Sequence, residues 1–139
     1  SDNLGIYHGI NQINQGQMDR WNIVSVLNYL SPDIETKIVL NKIKMFDNKD
    51  ATEKVKSMII LAGLVRKGFI QGDLTTVLSP RTIINWAENY KIFNDLVFSF
   101  KLSFLNKCDE TEKPIIAEYF QRVFNIDLPE SELNNIKKK

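Results

Sequence analysis

The sequence has little of what small enzymes use for chemistry, since its 139 residues include one cysteine, Cys108, and one histidine, His8. A lone cysteine cannot form an internal disulfide, and these two residues are too few for a zinc-type metal site. Basic and acidic residues nearly balance, 18 against 17, so the basic excess typical of nucleic-acid binders is missing. No apolar run approaches the roughly 20 residues that a membrane span needs, and Ser1-Asp2-Asn3 does not open a secretion signal. We therefore expect a cytoplasmic protein with no metal site and no affinity for nucleic acid or membranes.

Phosphate-binding motifs are also missing. The sequence contains no G-x-x-x-x-G-K-[ST] loop and no apolar strand that ends in paired acidic residues. These elements hold the phosphates and the magnesium of a bound nucleotide in one large class of ATPases. We therefore expect that this chain alone neither binds ATP and Mg nor hydrolyses ATP.

The composition is that of a folded protein, with 43% hydrophobic and 25% charged residues. Ser31-Pro32 and Ser79-Pro80 each combine a capping serine with a proline at the first helical position, which predicts two helix starts. Apolar residues then recur at three- and four-residue steps. Four helices are predicted: from about Pro32 to Met45, after a cap at Asp50, after Ser79, and from near Pro114.

Two segments are harder to assign. Residues 23–30 are rich in β-branched side chains, which predicts a strand, preceded by a short helix that ends with Gln17–Arg20. No convincing partner strand follows, so this strand would expose unpaired backbone groups. Between Leu96 and Leu105 the apolar residues fit either the alternation of a strand or one face of a helix. The residues alone leave that choice open.

Two arginines are candidates for binding phosphate. Arg20 lies between the short helix and the predicted strand, where it either pairs with Asp19 on the surface or presents its guanidinium fork to a phosphate. Arg81 follows Pro80 in the first turn of a predicted helix, where the helix dipole disfavours a cation. An external anion or a nearby carboxylate would explain its presence there.

The remaining chemical groups favour structural roles. We expect His8 to form hydrogen bonds rather than to act as a base, and Cys108 to be a partly buried, inert thiol. Asp109, Glu110 and Glu112 are predicted to be the negatively charged start of the last helix, a capping feature rather than a metal site. The Phe98, Phe100 and Phe104 side chains are predicted to be core rather than a stacking surface for bases.

Several blocks of sequence resemble one protein family. The blocks are Gly5–Gly9, Gln12–Trp21, Leu27–Leu30, Gly72–Thr82, Trp86–Asn89 and Ser103–Glu110. In this order, and from Gly5 to about Leu128, they look like the AAA+ ATPase subunits of aerobic cobaltochelatase, the CobS family. The similarity to MoxR-type and magnesium-chelatase ATPases is looser.

The resemblance implies a mainly α fold: a helical AAA+ lid preceded by a loop, a short helix and one strand left over from the α/β ATPase core. Residues 1–30 would be the end of that core, residues 31–128 the lid and residues 129–139 a tail. The strand at residues 23–30 would pair with a sheet formed by preceding parts of the complete subunit. Within the lid, the resemblance implies that Leu96–Leu105 is helical.

The resemblance also implies roles for the two arginines. Arg20 falls on the arginine-finger position, which acts in trans on the nucleotide of a neighbouring subunit, and Arg81 falls on the sensor-2 position. Arg81 and Pro80 would then contribute to ATP binding. The complete subunit would use ATP and Mg in a ring of identical copies, together with a large cobalt- and corrin-binding subunit and a third, metal-site-bearing bridging subunit. The reaction implied is ATP-driven cobalt insertion into hydrogenobyrinic acid a,c-diamide in aerobic cobalamin biosynthesis.

Two alternatives stay open at this point. The chain could be a non-catalytic helical module that assembles with other AAA+ subunits without depending on either arginine. It could also be a metallochaperone-like AAA+ relative with a different client, because family membership indicates the motor more firmly than its substrate.

Overall fold

The computed structural model describes residues 15–129, and this part of the chain is mainly helical, as the sequence predicted. Its elements in chain order are α1 (Gln15–Leu27), α2 (Pro32–Lys42), α3 (Lys49–Gln71), α4 (Pro80–Phe93), α5 (Leu96–Ser103), a 3-10 helix (Leu105–Lys107) and α6 (Lys113–Phe124). None of the helices within this range is long and apolar enough to cross a membrane. The predictions for His8 and for residues 130–139 of the tail lie outside the described residues.

The strand predicted for residues 23–30 is wrong, because residues 15–27 form helix α1. The β-branched side chains favour a strand locally, but that preference is weak and depends on a partner strand, which residues 15–129 do not provide. Arg20 and Val24 on this helix and Asn28 directly after it recur every four residues. Arg20 and Asn28 contact side chains of α3, and Val24 between them is buried. Tertiary packing at helical spacing therefore decides the conformation of this segment.

Two helices begin at the capping residues that the sequence predicted, and a third begins at a different capping residue. Ser79 Oγ accepts a hydrogen bond from the Thr82 N–H at 3.2 Å, and Ser31 caps α2 in the same way. The cap predicted at Asp50 is wrong: Asn48 Oδ1 accepts the Ala51 N–H at 2.9 Å. Asp50 instead lies in the first turn of α3, where the helix dipole favours a carboxylate.

The core forms around α3, the longest helix, which packs against α1, α2, α4 and α6. An aromatic cluster extends this core: Trp86 lies 4.6 Å from Phe100 between ring centroids, and Phe100 lies 4.9 Å from Phe120. Such tilted ring pairs add to the free energy gained from burying apolar area. The central position of α3 lets it contact both segments that carry the candidate arginines.

The ambiguous segment at residues 96–105 is helical, as the family resemblance implied: α5 ends at Ser103 and a short 3-10 helix follows. Phe100 and Phe104 are buried in the core as predicted. Phe98 is different, because it is 39% exposed and its ring packs edge-on against Phe93. The prediction of a core role for Phe98 is therefore wrong.

Candidate functional site

Arg20 lies on α1 and contacts the C-terminal end of α3. Its guanidinium carbon lies 5.6 Å from the centroid of the Phe69 ring, which is cation–π distance. No carboxylate among residues 19–129 forms an ion pair with Arg20, so the alternative of a surface pair with Asp19 is not observed there. The side chain is partly buried and lies against an aromatic face, and none of the acids among residues 19–129 neutralises its charge.

Gly72, the residue that ends α3, leaves room for Arg20. Its φ of +86° lies in the left-handed region, and its N–H donates back to the last turn of the helix. A Cβ at this position would lie 3.1 Å from Nη1 of Arg20. Glycine is therefore favoured here, because it adopts this backbone conformation without strain and leaves space for the guanidinium.

Arg81 is exposed at the second position of α4. Ser79 satisfies the Thr82 N–H and Pro80 has no N–H, while the N–H of Arg81 has no acceptor within the described part of the chain. No carboxylate of residues 19–129 pairs with its guanidinium either. Of the two explanations for a cation at this helix start, the nearby carboxylate therefore finds no support among these residues.

Arg66 on α3 is buried and forms a hydrogen bond with each of three other segments. Its Nε donates to the Leu78 carbonyl at 3.0 Å, and its Nη1 donates to Asn28 Oδ1 at 3.1 Å. Its Nη2 donates to Glu35 Oε2 at 3.3 Å, and both side chains of this ion pair are 4% exposed. Water therefore screens this ion pair little, and all three bonds fix the direction of the guanidinium.

The loop from α3 to α4, residues 72–79, is anchored along its length. The Asp73 N–H donates to the Gly68 carbonyl at 2.9 Å near its start. In the middle, the buried Glu112 carboxylate accepts the Thr75 N–H at 2.8 Å and the Thr75 hydroxyl at 2.6 Å. Its end is held by Arg66 through the Leu78 carbonyl. The start of α4 thus follows a loop that hydrogen bonds hold at its start, its middle and its end.

Both candidate arginines are therefore linked to one short stretch of α3. Phe69, which contacts Arg20, lies one turn after Arg66, which holds the carbonyl three residues before Arg81. Residues three apart on a helix share a face. The structure brings the segments of Arg20 and Arg81 to the same face of α3.

Sequence reasoning missed Arg66, Glu35 and Phe69 as parts of this arrangement. A signal was available, since Arg66 follows the buried Ala62 by four residues and falls on the apolar face of α3. Arginine is almost never fully buried unless it is paired. The partners Asn28, Glu35 and Leu78 could not be identified from the sequence, because only folding brings them together.

Two smaller predictions have different outcomes. Cys108 is buried as expected, and burial raises the pKa of its thiol, which favours the unreactive protonated form. Glu112 is the N-cap residue of α6, but its side chain forms no hydrogen bond to the first turn of that helix, so the expected side-chain cap is not observed. It binds Thr75 instead.

Among residues 15–129, no three His, Cys, Asp or Glu side chains cluster closely enough to hold a metal ion.

Comparison with known proteins supplies the remaining evidence. No protein-family model matches the chain, and no solved structure matches it. The chain is 53% identical over 133 residues to a curated protein of Sinorhizobium sp. named aerobic cobaltochelatase subunit CobS. The match covers 96% of this chain but the chain spans only 40% of the relative's length. Along nearly its whole length, the chain is thus a relative of the C-terminal part of an aerobic cobaltochelatase subunit CobS, which confirms the resemblance drawn from its motifs.

Proposed function

We propose that this chain is the part of a cobaltochelatase AAA+ motor subunit that supplies an arginine finger and a sensor-2 arginine. The proposal rests on the surroundings of Arg20 and Arg81. Arg20 and Arg81 have no carboxylate partner among residues 19–129, and both are linked to the same face of α3. The similarity to the CobS subunit supports the assignment of this arrangement to a nucleotide motor.

Arg20 acts in trans in this proposal. Its guanidinium reaches the γ-phosphate bound by a neighbouring subunit and stabilises the charge that develops on the transferring phosphoryl group. The Phe69 ring suits this role, because it orients a cation without neutralising it. A carboxylate in the same place would compete with the phosphate for the guanidinium.

Arg81 acts from the lid. It and Pro80 open α4, so the guanidinium and the positive end of the helix dipole are presented together. The N–H of Arg81, which has no acceptor among residues 15–129, adds a donor for a phosphate oxygen. Glu112 and Arg66 anchor the loop that precedes this helix start, so the position of Arg81 is linked to the contacts of that loop.

The complete subunit would bind ATP with Mg, which neutralises the phosphate charges and orients them for attack by water. Residues of this chain fit only part of that task. Arg20 and Arg81 offer donors for phosphate oxygens, whereas no cluster of acidic side chains suited to a metal ion occurs within residues 15–129. The motifs for the nucleotide cradle are not in this sequence. We expect no phosphate release by this chain alone.

Residues 31–128 form the lid in this proposal, and residues 1–30 are the end of the ATPase core. Within residues 1–30, helix α1 is found where a strand was predicted, and this helix carries Arg20. The complete subunit assembles into a ring of its own copies. It works with a large cobalt- and corrin-binding subunit and a third, bridging subunit to insert cobalt into hydrogenobyrinic acid a,c-diamide.

The first test is ATP hydrolysis by the complete subunit that carries Arg20→Ala. Loss of an arginine finger lowers turnover by about 10³- to 10⁵-fold, so we expect near-complete loss of phosphate release while nucleotide binding persists. Arg122→Ala is the matched control, because Arg122 is an exposed arginine paired with Glu118 on α6. Unchanged turnover in the Arg20 variant would exclude the finger role.

Mixed rings test whether Arg20 acts in trans. Subunits with Arg20→Ala are combined with subunits that carry an intact Arg20 but a disabled phosphate loop. Each form alone is inactive, but the mixture recovers phosphate release, because an intact nucleotide site then faces an intact arginine. A mixture as inactive as its components would contradict action in trans.

A non-catalytic assembly module is the second candidate, and the apolar surface of α1 favours it. Trp21, Ile23 and Val26 are 53%, 48% and 74% exposed, which is unusual for a surface helix. That candidate predicts that Arg20→Ala and Arg81→Ala leave complex formation and ATP turnover unchanged. Sedimentation and phosphate release, measured on the same samples, separate the two functions.

A further inference from the structure

The buried guanidinium of Arg66 has a geometry suited to linking the two candidate arginines. It is 3% exposed and donates to Asn28, Glu35 and the Leu78 carbonyl. A guanidinium is a rigid planar fork, so its donors cannot turn independently. Movement of one acceptor therefore either moves the others or breaks a buried, charged hydrogen bond.

Two of these acceptors lie next to the candidate functional segments. Asn28 directly follows α1, the helix that carries Arg20, and Leu78 directly precedes Ser79, the cap of the helix that Arg81 opens. We infer that Arg66 is a positioning residue that couples the orientation of α1 to the orientation of the start of α4. This inference rests on the proposed function, in which those two segments carry the finger and sensor-2 arginines. The coupling would make the lid respond when a neighbouring nucleotide engages Arg20.

A substitution at Asn28 tests the coupling without breaking the buried Arg66–Glu35 ion pair. The Asn28 side chain is exposed and supplies only one of the three acceptors, while its backbone N–H bonds independently to the Val24 carbonyl. Asn28→Ala thus removes the hydrogen bond between Arg66 and the end of α1 and leaves the Arg66–Glu35 ion pair in place. Asn28→Asp retains an acceptor for Nη1 and serves as the conservative variant. Asn22→Ala, at an exposed asparagine within α1, is the control.

The first measurement is the kinetics of the complete subunit. We expect Asn28→Ala to lower kcat about three- to tenfold, the effect of losing one ordinary, partly buried hydrogen bond, with KM for ATP unchanged. Asn28→Asp should restore kcat, and Asn22→Ala should leave it unaltered. A purely structural role of Asn28 would lower the melting temperature while kcat per folded subunit stayed the same.

The second measurement needs no ATP turnover. In amide NMR spectra of this chain, Asn28→Ala should shift the resonances of Ser79, Arg81 and Thr82, which are distant in sequence and linked to Asn28 through Arg66. Asn22→Ala should shift only its neighbours on α1. Absence of shifts at the start of α4 would overturn the coupling.

The outcomes separate this inference from the proposed function. If Arg20→Ala abolishes turnover but Asn28→Ala leaves kcat unchanged, the positioning role is wrong and the finger role stands. If Arg20→Ala leaves turnover unchanged, the proposed function is wrong, and the NMR shifts alone then decide whether the two segments are coupled.

Discussion

Two glycines show at the residue scale how the same substitution gives opposite results. Gly72→Ala forces a Cβ into a left-handed backbone, with Nη1 of Arg20 only 3.1 Å away, so we expect a loss of about 1–2 kcal/mol in the free energy of unfolding. Gly63→Ala is the matched change inside α3, where a Cβ would meet nothing within 4 Å. It should stabilise by about 0.5–1 kcal/mol. Urea unfolding of both variants checks the signs, and equal effects would contradict the role assigned to Gly72.

Cys108 gives a second prediction at this scale. Burial raises the pKa of the thiol, so the folded protein keeps it protonated at pH values where an unfolded thiol ionises. We expect iodoacetamide to alkylate Cys108 slowly at pH 8 and rapidly in denaturant. Because the unfolded state ionises first, stability should also fall as the pH rises above about 9. Equal alkylation rates in the folded and unfolded chain would contradict the protected state of the thiol.

At the scale of elements, the cap of α4 controls the segment that carries Arg81. Ser79→Ala removes the acceptor of the Thr82 N–H, which should lower the free energy of unfolding by about 1 kcal/mol and increase hydrogen exchange in the first turn of α4. Ser25→Ala, an exposed serine within α1, is the control and should change stability by only a few tenths of a kcal/mol. Hydrogen exchange that stayed unchanged at the start of α4 would show that the cap is dispensable.

The elements also show where local sequence is a reliable guide. Ser-Pro pairs predicted two helix starts correctly, because a capping side chain and a proline act on their own turn. The β-branched run in residues 23–30 predicted a strand wrongly, because its conformation depends on contacts with α3. The helical assignment of residues 96–105 needed the family resemblance, since their apolar pattern fits both periods.

At the scale of the whole molecule, the Arg66–Glu35 ion pair connects α3 to α2, and Arg66 also bonds to Asn28 after α1 and to Leu78 before α4. Arg66→Met should lower the free energy of unfolding by about 3–5 kcal/mol, because it leaves the Glu35 carboxylate buried without its partner. Adding Glu35→Met removes that unpaired charge, so the double variant should regain part of the loss. Thermal and urea unfolding of the unchanged chain and of both variants check this order. A double variant less stable than Arg66→Met would contradict it.

The sequence by itself determined the helical character of this chain, the two Ser-Pro helix starts, the candidate arginines and the similarity to CobS. These features depend on short-range spacing and on residue identity, both of which can be taken directly from the sequence. Only the tertiary structure decided that residues 15–27 are a helix, that Arg20 contacts Phe69 and that Arg66 joins Asn28, Glu35 and Leu78. Contacts between residues that are 12 to 49 positions apart arise from packing against α3, and no local pattern specifies them.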